Sequence, residues 1–228
     1  MRVKNFLHRF GYDVKRYHSL YDLVLKHHSI QTVLDIGAND GEWSAEMRRL
    51  FPRTQVYAFE PLADRYEGLA ARFKGDARFR AFNVALGEQN SETEIERSSF
   101  HPSSSLLHMS DLHKELYPKS KNIKKEKIML RRLDSFDKEV TLAPDILIKL
   151  DVQGFEDKVI LGGENIFKQA KIIICETSFV QLYEGQPLFG DIHEQLGRLG
   201  FAYRGNCSEH YSKKTGERIY EDSVFLRV

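Results

Sequence analysis

Short apolar, β-rich runs alternate with stretches of helical length along most of this 228-residue chain, and that rhythm constrains its fold most strongly. Residues 32–37 (TVLDIG) form the first run. Residues 41–51 then carry helical spacing through Trp43, Met47, Leu50 and Phe51, and Pro52 stops it. Residues 55–60 (QVYAFE) are the next strand, and Pro61 opens a helix to about Lys74, since proline suits the first helical position. Residues 79–86 are expected as a third strand and 145–152 (DILIKLDV) as a fourth, followed by a helix over 155–169. Residues 171–178 (KIIICETS) are a fifth, with a helix near 191–199. Residues 201–207 and 222–228 complete seven strands. The polar stretch 205–220 reads as a loop, so the final pair is antiparallel.

Strands alternating with helices form parallel βαβ units, which wind into a sheet with helices on both faces. The chain is therefore read as one α/β domain, a doubly wound and mostly parallel seven-stranded sheet over 31–228, preceded by a helical lead-in over 1–30. Residues 88–136 break the rhythm as an insertion. They hold an alternating stretch (92–97), a Ser-rich loop (98–105) and a basic run, 119–132, with seven basic residues and one acid. An insertion of that length suits a substrate lid. A basic lip would draw in an anionic acceptor.

Composition removes several classes. Lys plus Arg is 34 and Asp plus Glu is 33, so no overall field favours nucleic acid or a membrane surface. Two cysteines, Cys175 and Cys207, cannot build a disulfide scaffold, which points to a reducing, cytoplasmic setting. No apolar run approaches the ~18–20 residues that span a bilayer. The basic first residues lack the apolar core of a secretory signal.

Ligands of such sheets sit at the carboxyl ends of the strands. The first turn reads Asp35-Ile36-Gly37-Ala38-Asn39-Asp40-Gly41, without a dinucleotide G-x-G-x-x-G or a P-loop Lys-Ser/Thr. Asp35, Asp40 and Glu42 compete with any phosphate for the helix N-terminus. The turn suits a ligand with positive charge and hydroxyls, and S-adenosylmethionine has both and no phosphate. Glu60, about 20 residues further on, can accept hydrogen bonds from two ribose hydroxyls.

The segments VLDIGANDG, YAFEP, NVALGE, LIKLDVQGFE and IIICE resemble the FkbM family of S-adenosylmethionine-dependent methyltransferases over about 32–178. The resemblance implies a class I methyltransferase fold and methylation of hydroxyls on sugars and related natural products. It implies that Asp35, Gly37, Asn39 and Gly41 line the methionine part of the cofactor. Glu60, followed by Pro61, would hold the ribose, and Asn83, Val84 and Ala85 would flank the adenine. It makes the loop around Ser104 a lip over the cofactor. The family's Asp-Val-Glu-Gly stands here as Asp151-Val152-Gln153-Gly154, so an amide replaces a carboxylate.

A sugar hydroxyl is a poor nucleophile, and its proton needs a base or a metal. Asp151 is the first candidate base, His101 the second and His193 a weaker third. Lys149, two residues before Asp151 on the same strand face, is either an ion-pair partner or part of the acceptor machinery. Asp151 with Glu176 could hold a divalent metal through oxygen ligands. His108 and His113 lie five apart, which is not a metal spacing on a helix. The competing readings are a nicotinamide-dependent oxidoreductase and a non-catalytic binding protein on the same fold.

Overall fold

The computed structural model describes residues 28–228. The lead-in helix expected over 1–30 lies almost wholly outside the described residues. Seven strands form the main sheet: β1 (Thr32–Ile36), β2 (Gln55–Phe59), β3 (Phe79–Phe82), β7 (Ile146–Leu150), β8 (Ala170–Ser178), β9 (Phe201–Tyr211) and β10 (Arg218–Arg227). Their order is β3-β2-β1-β7-β8-β10-β9. The first five are parallel, and β10 runs antiparallel between β8 and β9. This is the doubly wound α/β fold that the alternating rhythm predicts.

Burial explains why the central strands read as unbroken apolar runs. One face packs Leu34, Ile36, Phe59, Ile148, Leu150 and Ile173 into the larger core. The other packs Val33, Val56, Leu147, Ile172 and Ile174 into a second one. A parallel strand buried on both faces has no place for alternation with polar residues. Helices α1 (Glu42–Leu50), α2 (Ala63–Arg72), α4 (Glu156–Gly162), α5 (Glu164–Phe167) and α6 (Phe189–Arg198) connect them.

Three segments differ from the sequence reading. The run 79–86 splits at Asn83, whose side-chain amide donates to the carbonyls of Glu60 and Pro61, both at 2.9 Å. Only β3 joins the main sheet, and β4 (Ala85–Leu86) enters a second sheet. The helix expected over 155–169 breaks at Gly163 into α4 and α5. A side chain at Gly162 would lie 1.8 Å from the Gly87 carbonyl oxygen, so helix and insertion are packed backbone to backbone there. The polar stretch 205–220 is no loop: β9 and β10 extend into it as a long hairpin. Its polarity is partly internal, because the buried Glu221 carboxylate accepts from Tyr203, Asn206 and Ser223.

The insertion folds as the sheet β4-β6-β5, with β5 (Ser91–Ser98) and β6 (Ile123–Arg131) antiparallel. Between them lies the short helix α3 (Asp111–Leu116). The basic run is thus largely a strand. Glu94 stands opposite Lys127 and Glu96 opposite Lys125, and Lys125 also pairs with Glu94 at 3.4 Å. Acids of β5 thus offset two of the run's seven cations, Lys125 and Lys127, while Lys124 stands opposite Arg97.

Candidate active site

The β1–α1 turn is built on close backbone approach. Gly37 has φ +85°, and a Cβ there would fall 1.8 Å from the Asp151 carbonyl oxygen. Only glycine lets the chain leave β1 beside the end of β7. Gly41 (φ +78°) opens α1 against Leu69 and Phe73 of the α2 region, so its small size serves helix packing.

Glu60 closes β2 and is buried. Its Oε2 accepts the Asn39 N–H and its Oε1 the Leu62 N–H, both at 2.9 Å. Burial outweighs these bonds and lifts its pKa to about 7. Asp35 is fully buried and accepts the Ser44 hydroxyl at 2.6 Å through Oδ2. Burial raises its pKa against the pull of Lys149. Asp35 Oδ1 and Asn39 Oδ1 are buried acceptors without a hydrogen-bond partner.

The end of β7 carries a denser network. Lys149 Nζ donates to Asp151 Oδ2 at 3.0 Å and stands beside Asp35 in register. Burial pulls the Lys149 pKa down, but Asp151 and Asp35 more than offset it, so the ammonium stays above the usual lysine range. Lys149 is thus held as the charged partner of Asp151. Gln153, at φ +55°, donates through Nε2 to Asp151 Oδ1 at 2.8 Å and to Glu176 Oε1 at 3.0 Å. Its Oε1 accepts the Tyr183 hydroxyl at 3.0 Å. Burial, then Asp151, raise the Glu176 pKa well above normal. The expected metal pair Asp151 and Glu176 is thus bridged by an N–H donor where a cation would need to sit. Among the described residues no group of three or more His, Cys, Asp or Glu could hold a metal ion.

A cavity of about 240 Å³ runs along these strand ends. Of the residues singled out from sequence, Gly37, Asn39, Glu60, Pro61, Val84, Ala85, Ser104, Asp151 and Glu176 line it. Asp35, Gly41, Asn83 and Lys149 do not; they support the lining from behind. His101 begins the 3₁₀ turn His101–Ser103, and its side chain lies outside the described residues. His193 is exposed on α6 and away from the cavity lining. Two residues to which the sequence assigned no role belong to the site. Glu156 is buried at the start of α4, where its Oε1 accepts the Val152 and Gly154 N–H groups at 3.1 Å and so shapes the turn after β7. His113 on α3 lines the cavity and has no partner on either ring nitrogen.

The cavity fits S-adenosylmethionine on its own chemistry. The orphaned Asn39 oxygen needs a donor, which an ammonium supplies. Each Glu60 oxygen accepts one backbone N–H and keeps a lone pair for a ribose hydroxyl. The Gly37 cradle leaves room where a side chain would fill the turn.

Comparison with known proteins agrees. The Methyltransferase FkbM domain matches residues 35–203. The chain is 32% identical over 169 residues to the 2-O-methyltransferase NoeI of Sinorhizobium fredii (strain NBRC 101917 / NGR234), covering 68% of this chain and 66% of that protein. The match therefore spans just under two thirds of that relative's length. Among solved structures, a chain of the fibrillarin/Nop5p complex aligns with TM-score 0.50 and 12% identity over 93% of this chain and 82% of that one. The magnesium protoporphyrin IX methyltransferase ChlM of Synechocystis PCC 6803, solved with bound SAM, aligns with TM-score 0.47 and 12% identity over 90% and 74%. At 12% identity the fibrillarin/Nop5p likeness speaks to the fold alone. With a domain match spanning most of its length and the strand order of the class I methyltransferases, the chain belongs to the FkbM methyltransferase family.

Proposed function

We propose that this protein is an S-adenosylmethionine-dependent O-methyltransferase acting on a hydroxyl of a sugar or related natural product. The observation that carries the reading is one cavity joining Glu60 at the end of β2 to Asp151 at the end of β7. S-adenosylmethionine would supply a methyl group made electrophilic by its sulfonium. Glu60 would accept the ribose hydroxyls, and Asn39 Oδ1 the ammonium. Both oxygens of Asp151 already accept hydrogen bonds, from Lys149 and Gln153. Asp151 is then a fixed anionic wall that orients the acceptor hydroxyl through a remaining lone pair. Positioning of this kind supplies much of the acceleration in a displacement at carbon.

The test is Glu60→Ala. Hydrogen bonds to a charged acceptor contribute ~1.5–3 kcal/mol each, so S-adenosylmethionine affinity falls at least about tenfold by titration calorimetry. Unchanged affinity in a folded variant would remove Glu60 from the ribose and the reading with it.

A further inference from the structure

His113 is 2% exposed, and neither Nδ1 nor Nε2 has a hydrogen-bond partner. A buried polar group without a hydrogen bond is costly, so such a side chain needs an explanation. Its neighbours offer none. The ring lies between those of Tyr117 and Tyr183, each with its centroid 5.0 Å away. The Tyr183 hydroxyl is committed to Ser103 and Gln153, and the Tyr117 hydroxyl to Tyr220. Burial pulls the His113 pKa to about 4, so near neutrality the ring carries one N–H and one lone pair. That pair of functions matches a hydroxyl group.

The charge around it narrows the ligand. Glu60, Asp151 and Glu176 line the cavity, and among the described residues no Lys or Arg does. The acidic side chains there are thus met by an entering anion with no lining cation to offset them. Tyr117 and Tyr220 add aromatic surface to the same wall. Aromatic faces, carboxylates and a neutral imidazole together suit an uncharged ring bearing hydroxyls.

We propose that His113 is the catalytic residue that binds the acceptor hydroxyl, and that its wall of the cavity is a subsite for an uncharged, hydroxylated sugar ring. The proposal rests on the methyltransferase reading above. The hydroxyl oxygen bonds to the methyl carbon as that carbon's bond to sulfur breaks with its electron pair passing to sulfur. The hydroxyl proton passes to the free imidazole nitrogen. A weak base suffices, because an oxygen acquiring a third bond becomes strongly acidic.

The test compares wild type with His113→Phe, which keeps the ring contacts and removes both orphaned nitrogens. Expected are a Tm equal to or above wild type, and S-adenosylmethionine affinity within about twofold by calorimetry. Transfer of labelled methyl to methyl α-glucoside or methyl α-mannoside slows at least about 100-fold, while methyl α-glucuronoside is not an acceptor for either protein. In ¹⁵N-histidine-labelled wild type loaded with S-adenosylhomocysteine, the neutral glycosides shift the His113 ring signals. A collapsed Tm in the variant would make His113 structural and overturn the proposal. So would transfer within about threefold of wild type, or no ring shift with any neutral glycoside. Wild type that fails to bind S-adenosylmethionine would instead overturn the methyltransferase reading itself. Methylation of the neutral glycosides with His113 silent would leave that reading intact and remove only this residue.

Discussion

The side-chain nitrogen of Gln153 lies 3.0 Å from Glu176 Oε1, and the same amide donates to Asp151. One neutral side chain thus satisfies two acids that would otherwise face each other. Gln153→Glu replaces the bridging donor by a third carboxylate. An acid in that place has its folded-state pKa raised, so its contribution to stability is lost as pH rises through that value. The variant is expected to lose about 2–4 kcal/mol at pH 8 and to recover much of it near pH 5. Thermal melts at the two pH values check this, and equal losses at both would contradict it.

Asp151→Asn tests the neighbouring pair. Lys149 is 14% exposed and would lose its nearest anion, leaving Asp35 to compensate. Stability is expected to fall by about 2–4 kcal/mol, and methyl transfer by about 10–100-fold. Adding Lys149→Met restores much of the stability without restoring turnover. Urea titrations and single-turnover assays on the single and double variants separate the two effects. Full turnover in the double variant would remove Asp151 from the chemistry.

Glu156 gives a pH signature apart from the ligand-lining residues. Burial raises its pKa from 4.5 to about 7 in spite of its backbone hydrogen bonds. Its contribution is complete below pH 4.5 and is lost as pH rises through about 7. The loss is on the order of 3 kcal/mol. Glu156→Gln keeps an oxygen acceptor for Val152 and Gly154 and cannot ionise. Relative to wild type, the variant is expected to gain stability between pH 5 and 8, measured as the difference between paired urea titrations. Glu60 and His113 titrate in both proteins and cancel in that difference. A pH-independent difference would contradict the assignment.

Gly37→Ala places a methyl group 1.8 Å from the Asp151 carbonyl at a left-handed backbone position. Two central strands must separate to admit it, because the Asp151 N–H also bonds to Ile36 O at 3.0 Å. A loss above about 3 kcal/mol is expected, together with loss of S-adenosylmethionine binding. A variant with native Tm would contradict a tight β1–β7 approach at Gly37.

The main sheet was legible because its parallel strands are buried on both sides. Val33 to Ile36, Leu147 to Leu150 and Ile172 to Ile174 could hardly be surface loops. The edge hairpin was not, because β9 has a largely solvated face and the polar residues around Glu221 pair among themselves. In the insertion, lysines mask a strand whose inward positions, Glu126, Ile128 and Leu130, alternate only over its second half. The acids at the strand ends could be read off directly, since each follows an apolar run by a fixed step. His113 could not. Its isolation comes from a wall assembled from α3, the stretch after β8 and the start of β10, and nothing near it in sequence signals that both nitrogens lack a protein partner.

Two hydrogen bonds sew the Ser-rich loop to distant parts of the chain. The Ser105 hydroxyl donates to the Gln153 carbonyl at 2.6 Å, and the Tyr183 hydroxyl reaches the Ser103 carbonyl at 3.2 Å. Residues 88–136 are therefore not a transplantable cassette. A chimera that exchanges this stretch alone would set a foreign loop against stitches cut for the original one. To keep its seat, the inserted sheet would need positions 153 and 183 to travel alongside it.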